Sequence, residues 1–133
     1  MLVLALLLKT IAGVREEHSP ALLADFPELA RVRLRRGGLL PRVGGWCLGQ
    51  STVAGITLGR TVWLGTSASP SAELLLHELR HVHQFESVRA FPLRYVWESL
   101  RRGYHHNRFE TDARRFAAER LRTPPELPFS EDV

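Results

Sequence analysis

The chain has 133 residues, 44% of them hydrophobic and 24% charged, and 18 Lys+Arg against 14 Asp+Glu give a net charge of +4. That length suits one domain, residues 1–133, with its own core, and the composition is that of an ordinary globular chain rather than a disordered one. The single cysteine, Cys47, excludes an intrachain disulfide and any thiolate-built zinc site.

The opening stretch, MLVLALLLKTIAG, carries an apolar run from Leu2 to Leu8. It lacks the basic start of a signal peptide and falls far short of the ~20 residues that cross a bilayer. A helix over 2–12, stopped by Gly13 and packed on the domain, is the expectation, with a membrane-surface role as the lesser alternative. No transmembrane segment is expected, and with no leader and one cysteine the expected compartment is the cytoplasm. In SPALLADF, 19–26, Ser19 can cap a short helix with Pro20 in its first turn. ARVRLRR, 30–36, alternates apolar and basic residues as a half-buried strand does. The glycine pairs at 37–38 and 44–45 mark a loop that holds Cys47, which reads as a small buried residue beside Trp46. Two β-rich runs, 53–58 and 61–64, flank Gly59-Arg60, and glycine in that place is what a type II′ hairpin turn requires.

Three helices follow. Ser69 is a candidate N-cap, with Pro70 at the first position, for a helix over about 71–88. Pro92 opens one near 92–103, and another covers about 107–122 before Thr123-Pro124-Pro125 and a loosely held tail, 122–133. Strands precede helices without βαβ alternation, so the class is α+β. Arginines are spread over 31–42, 80–102 and 108–122 at helix-face spacing, without interleaved stacking aromatics, so nucleic acid is not an expected partner.

The chemistry concentrates in HELRHVHQFE, 77–86. His77 and His81 are four apart, so on a helix both imidazoles reach one ion. Glu78 lies about 100° around from His77, beside such an ion, where it can act as general base toward water at an open fourth position. His83 is about 200° from His81 and cannot join them, whereas Gln84 returns to the metal face and can orient a ligand. A histidine at 87 would make a metzincin, and Ser87 excludes that class. A carboxylate from NRFETDARRFAAERL, 107–121, is the alternative third ligand. Phe109, Ala113, Phe116, Ala117 and Leu121 define its apolar face. Glu110 borders that face and is favoured over Asp112, which can instead brace a histidine or a loop. The competing reading of Glu110 is a surface pair with Arg114. Tyr104, His105 and His106 precede this helix and are candidates, Tyr104 and His106 first, to stabilise an oxyanion.

The stretch ARVRLRR, AGITLGRTVWLG and LLLHELRHVHQ resembles the metallopeptidase domain associated with extracellular contractile injection systems, over roughly residues 20–86. FETDARRFAAERL is similar to the glutamate helix of gluzincin-type metallopeptidases. The resemblance implies a minimal zincin-like domain, with a small antiparallel sheet packed on the HExxH helix and a following glutamate helix. It also implies Zn²⁺ held by His77, His81 and Glu110. Arg80 and His83 depart from the stricter protease pattern, which prefers an uncharged and an apolar residue there. The expected activity is water-mediated hydrolysis of amide bonds in a peptide or protein substrate, with Glu78 as base and the 61–64 strand as an edge for the substrate. The alternatives are a zinc-stabilised interaction module without turnover and a basic nucleic-acid-binding domain.

Overall fold

Along Arg33–Arg36 and Thr61–Leu64 the side chains alternate, so Leu34, Val62 and Leu64 fall on one face of a sheet, and all three are buried. In the computed structural model, which describes residues 1–39, 55–65 and 70–123, that sheet has four strands. They are β1 (Val14–Glu16), β2 (Arg33–Arg36), β3 (Gly55–Leu58) and β4 (Thr61–Leu64), in the order β1-β2-β4-β3. The fold class is α+β, as the order of elements implies. The sheet is mixed rather than antiparallel: β1–β2 and β3–β4 are antiparallel, while β2 and β4 run parallel. Burial explains why. β4 brings Val62 and Leu64 to the inner face and pairs them with Leu34 and Arg36, whereas β3 brings only Gly55 and Thr57. The more apolar strand therefore takes the centre, and the expected edge at 61–64 lies at 55–58 instead. Gly59, at φ 62, makes the hairpin turn with Arg60 outside the left-handed region, as a type II′ turn needs.

The helices are α1 (Leu2–Ala12), α2 (Pro20–Asp25), α3 (Ala72–Ser87), α4 (Phe91–Arg102) and α5 (Arg108–Arg122), with a 3₁₀ turn over Pro27–Arg31. α3 lays Leu75, Leu76, Leu79 and Val82 on the inner face of the sheet, all essentially without solvent contact. α5 packs on α3 through Ala113 and Ala117, whose small side chains let the two helices approach closely. Burying such residues contributes about 25 cal/mol per Å² of apolar area.

Several expectations are corrected. α1 runs over 2–12 and stops at Gly13, but none of its residues is buried, so the described part of the domain does not cover it. Ser19 occupies the N-cap of α2 without a side-chain hydrogen bond. The segment 30–36 divides into the end of the 3₁₀ turn and β2, and β1 was not foreseen because three residues are too few for a period. α3 begins at Ala72 with Ser71 as its cap, accepting from the Leu74 N–H, in place of Ser69. Leu121 is exposed rather than on the packed face of α5. Trp46, Cys47, Ser69 and the tail beyond Thr123 lie outside the described residues.

Candidate metal centre

His77 and His81 are one turn apart on α3, and their Nε2 atoms lie 3.2 Å from each other. Glu110, from the first turn of α5, brings Oε2 to 3.0 Å from His77 Nε2 and Oε1 to 3.1 Å from His81 Nε2. The ligating atoms of these three residues fall within 4.8 Å of one another. Zinc bound to nitrogen or oxygen at about 2.0–2.1 Å in a tetrahedron sets its ligands about 3.3 Å apart. The separation of the two imidazole nitrogens, and the approach of one Glu110 oxygen to each of them, are close to the edges of such a tetrahedron. Glu110 Oε2 is also buried without a hydrogen bond, so its approach to His77 is a contact rather than a formed bond. An inward carboxylate oxygen lacking a donor costs free energy that a cation would offset. The donor set therefore fits Zn²⁺.

The surroundings hold this arrangement. The Gln84 amide donates to the Phe109 carbonyl and to Asp112 Oδ2, which leaves its Oε1 to accept from His81 Nδ1 at 2.8 Å. That fixes the proton of neutral His81 on Nδ1 and frees Nε2 for an ion. Asp112 is turned away from the cluster and accepts from Arg80 Nε at 2.7 Å. Arg80, whose charge departs from the stricter motif, thus joins α3 to α5, and its guanidinium also lies over the Phe116 ring. The Tyr95 hydroxyl of α4 donates to Glu110 Oε1 at 2.6 Å. Asn107, fully buried, caps α5 by accepting from the Phe109 N–H and donates to the Tyr95 carbonyl and Ser99 Oγ. Arg114 does not pair with Glu110; it donates to the His105 carbonyl.

Electrostatics couple the residues. Burial alone would raise the Glu110 carboxyl, but the close approach of His77 and His81, the His81 charge and the Tyr95 hydroxyl hold it well below the carboxylate range. Burial disfavours charge on His81, yet its bond to Glu110 and the charges of Glu78 and Glu110 win, and it is pushed up to about 9. In the metal-free site, then, His81 and Glu110 form an ion pair whose proton a metal ion would displace.

Glu78 reaches the edge strand β3. Its Oε2 accepts from Thr57 Oγ1 at 2.6 Å, and its Oε1 lies 3.2 Å from where a Cβ on Gly55 would stand. It remains within electrostatic reach of His81 and Tyr104. Tyr104 is half-buried near Glu110, and burial first, then the charges of Glu110 and Glu78, push its phenol up to about 12. His105 and His106 are exposed, and His106 has no hydrogen bond to the cluster among the described residues. His83 packs edge-on to Phe116, away from the site. Reasoning from sequence missed Tyr95, Thr57 and Asn107. Asn107 was legible as an N-cap type before an apolar run; the other two reach the site only across elements. Comparison of the chain with protein-family models, curated proteins and solved structures finds no match.

Proposed function

We propose that this protein binds one Zn²⁺ through His77, His81 and Glu110 and is a zincin-like hydrolase of peptide bonds. The convergence of two imidazole nitrogens 3.2 Å apart on a buried carboxylate, one of whose oxygens lies within 3.1 Å of each, is the observation that carries the reading. A bound zinc ion supplies Lewis acidity and lowers the pKa of water at its open position. The chain's own residues do the rest. Gln84 holds His81 in the tautomer that presents Nε2. Tyr95 fixes the Glu110 carboxylate. Thr57 holds one oxygen of Glu78, leaving Oε1 to take the proton of the attacking water and pass it to the leaving amine. Tyr104 keeps its proton at neutral pH and can donate to the developing oxyanion. β3, an edge strand among the described residues and adjacent to Glu78, offers its backbone to an extended peptide.

A zinc-stabilised module without turnover is the second reading. It is favoured by the low exposure of the cluster, 16% for the His77 side chain, 8% for His81 and 4% for Glu110. Glu78→Gln separates the two. Zinc content is expected to stay near one per chain while cleavage of a peptide library falls by about a hundredfold or more. Cleavage that survives the substitution refutes Glu78 as base; a wild type that holds zinc and cuts nothing supports the module.

A further inference from the structure

α1 reads LVLALLLKTIA, and none of its residues is buried. Leu2 is 85% exposed, Leu4 62%, Leu6 67%, Leu7 51% and Leu8 57%. At about 100° per residue these five leucines point around the whole circumference of the helix. A contiguous apolar surface of this kind marks an interaction site. A protein groove or a second helix would cover one side of such a helix, whereas hydrocarbon covers every side. We propose that α1 inserts into one leaflet of an anionic lipid membrane.

The helix is built for that. Its eleven residues span about 16 Å, which seats in one leaflet but cannot cross a hydrocarbon layer of about 30 Å. Its polar residues, Lys9 and Thr10, are segregated at the end nearest the domain, and the Thr10 hydroxyl is satisfied internally by the Leu6 carbonyl. That same end is mounted firmly. The Ala12 carbonyl accepts from Arg35 Nε at 2.7 Å and from Trp63 Nε1 at 2.8 Å, and the Gly13 carbonyl accepts from Arg35 as well. Gly13 itself permits the turn at φ 71, with the Arg36 carbonyl only 2.6 Å from where a Cβ would sit.

The surface at the foot of α1 matches the charge of such a membrane. Register places Arg15, Arg35, Trp63 and Ile56 abreast on the outer face of the sheet, with Arg33 one step along. Lys9, Arg15 and Arg33 are exposed and form no ion pair among the described residues. Exposed cations and a half-exposed tryptophan beside an apolar helix are the groups that sit at the level of anionic headgroups.

Flotation of the full chain with vesicles tests this. Phosphatidylcholine vesicles are compared with vesicles that also contain phosphatidylserine, using wild type, Leu4→Glu/Leu7→Glu and Arg15→Glu/Arg33→Glu. Both leucines are exposed, so the glutamate pair is expected to leave the melting temperature and zinc uptake unchanged. The wild type is expected to float with the serine-containing vesicles. The leucine variant should lose about a hundredfold in vesicle affinity and the arginine variant about tenfold, the latter on anionic vesicles only. Wild-type protein that does not float, or a leucine variant that floats equally well, overturns the proposal. A wild-type dimer that Leu4→Glu/Leu7→Glu dissociates, with no flotation, also overturns it and assigns the helix to a second copy.

Discussion

Tyr95 touches the proposed metal centre only through Glu110, donating its hydroxyl to Oε1 at 2.6 Å. Tyr95→Phe removes that donor and keeps the ring against Phe91 and Phe109. Losing a group that orients a ligand typically costs 10- to 100-fold in metal affinity, so a zinc affinity about tenfold weaker is expected, by competition with a chromophoric chelator. The two carboxylates of α5 give a sharper contrast. Glu110→Ala removes an oxygen 3.0 Å from one imidazole and is expected to weaken zinc binding severely. Asp112→Ala frees only Arg80 and Gln84, so a loss of about tenfold is expected. The reverse order in side-by-side titrations would falsify the ligand assignment. The Arg80–Asp112 pair is partly solvated, its side chains 36% and 27% exposed, so its own contribution to stability is at most about 1 kcal/mol.

Elements meet at two residues that do no chemistry. Asn107 joins α4 to α5 by three hydrogen bonds while buried completely. Asn107→Ala loses the cap, strands the Phe109 N–H and removes the bonds to the Tyr95 carbonyl and Ser99 Oγ. A destabilisation of about 2–4 kcal/mol is expected, read by urea unfolding. A change below about 0.5 kcal/mol would mean that the helix junction is held by packing alone. Gly55 does the same between β3 and α3. A Cβ there stands 3.2 Å from Glu78 Oε1 and 3.4 Å from Cδ, tighter than ordinary contact. Gly55→Val should push the Glu78 carboxylate off its Thr57 hydrogen bond. Zinc uptake is expected to persist while any peptidase activity drops as far as in Glu78→Gln. Equal activity in Gly55→Val and wild type would show that Glu78 has room to move.

For the whole molecule, the proposed ion bridges helices that share most of the core. α3 supplies two ligands and the apolar face laid on the sheet, and α5 supplies the third together with Ala113 and Ala117. Zinc that binds only the folded chain at a free concentration of about 1,000 Kd adds about 4 kcal/mol. For a domain of this size that is an upward shift in melting temperature of roughly 10–16 °C. Scanning calorimetry with zinc and with chelator is expected to show that difference, and Glu110→Ala is expected to abolish it. Coincident transitions with and without metal would remove the ion from any structural role.

Secondary structure and the presence of one helix face bearing His77 and His81 are set by local rules, so the sequence determined them. Capping and stop signals located α1, α4 and α5 within a residue or two, and a glycine-first turn located the hairpin. The side of α5 that carries Glu110 was legible too, because Phe109, Ala113 and Ala117 fix its inward face. Tertiary structure decided what depends on neighbours distant in the chain. Strand order was one such matter: β4 goes to the centre and β3 to the edge because Val62 and Leu64 need burial on both flanks, and no residue's local preference encodes a partner strand. The partners of Glu78, Glu110 and Arg80 were others, since Thr57, Tyr95 and Asp112 lie 21, 15 and 32 positions away. The outward exposure of α1 was the last. Its composition resembles a core helix, and only packing, which among the described residues ties down its C-terminal end through Arg35, Trp63 and Leu39 and buries none of its side chains, sets it on the surface.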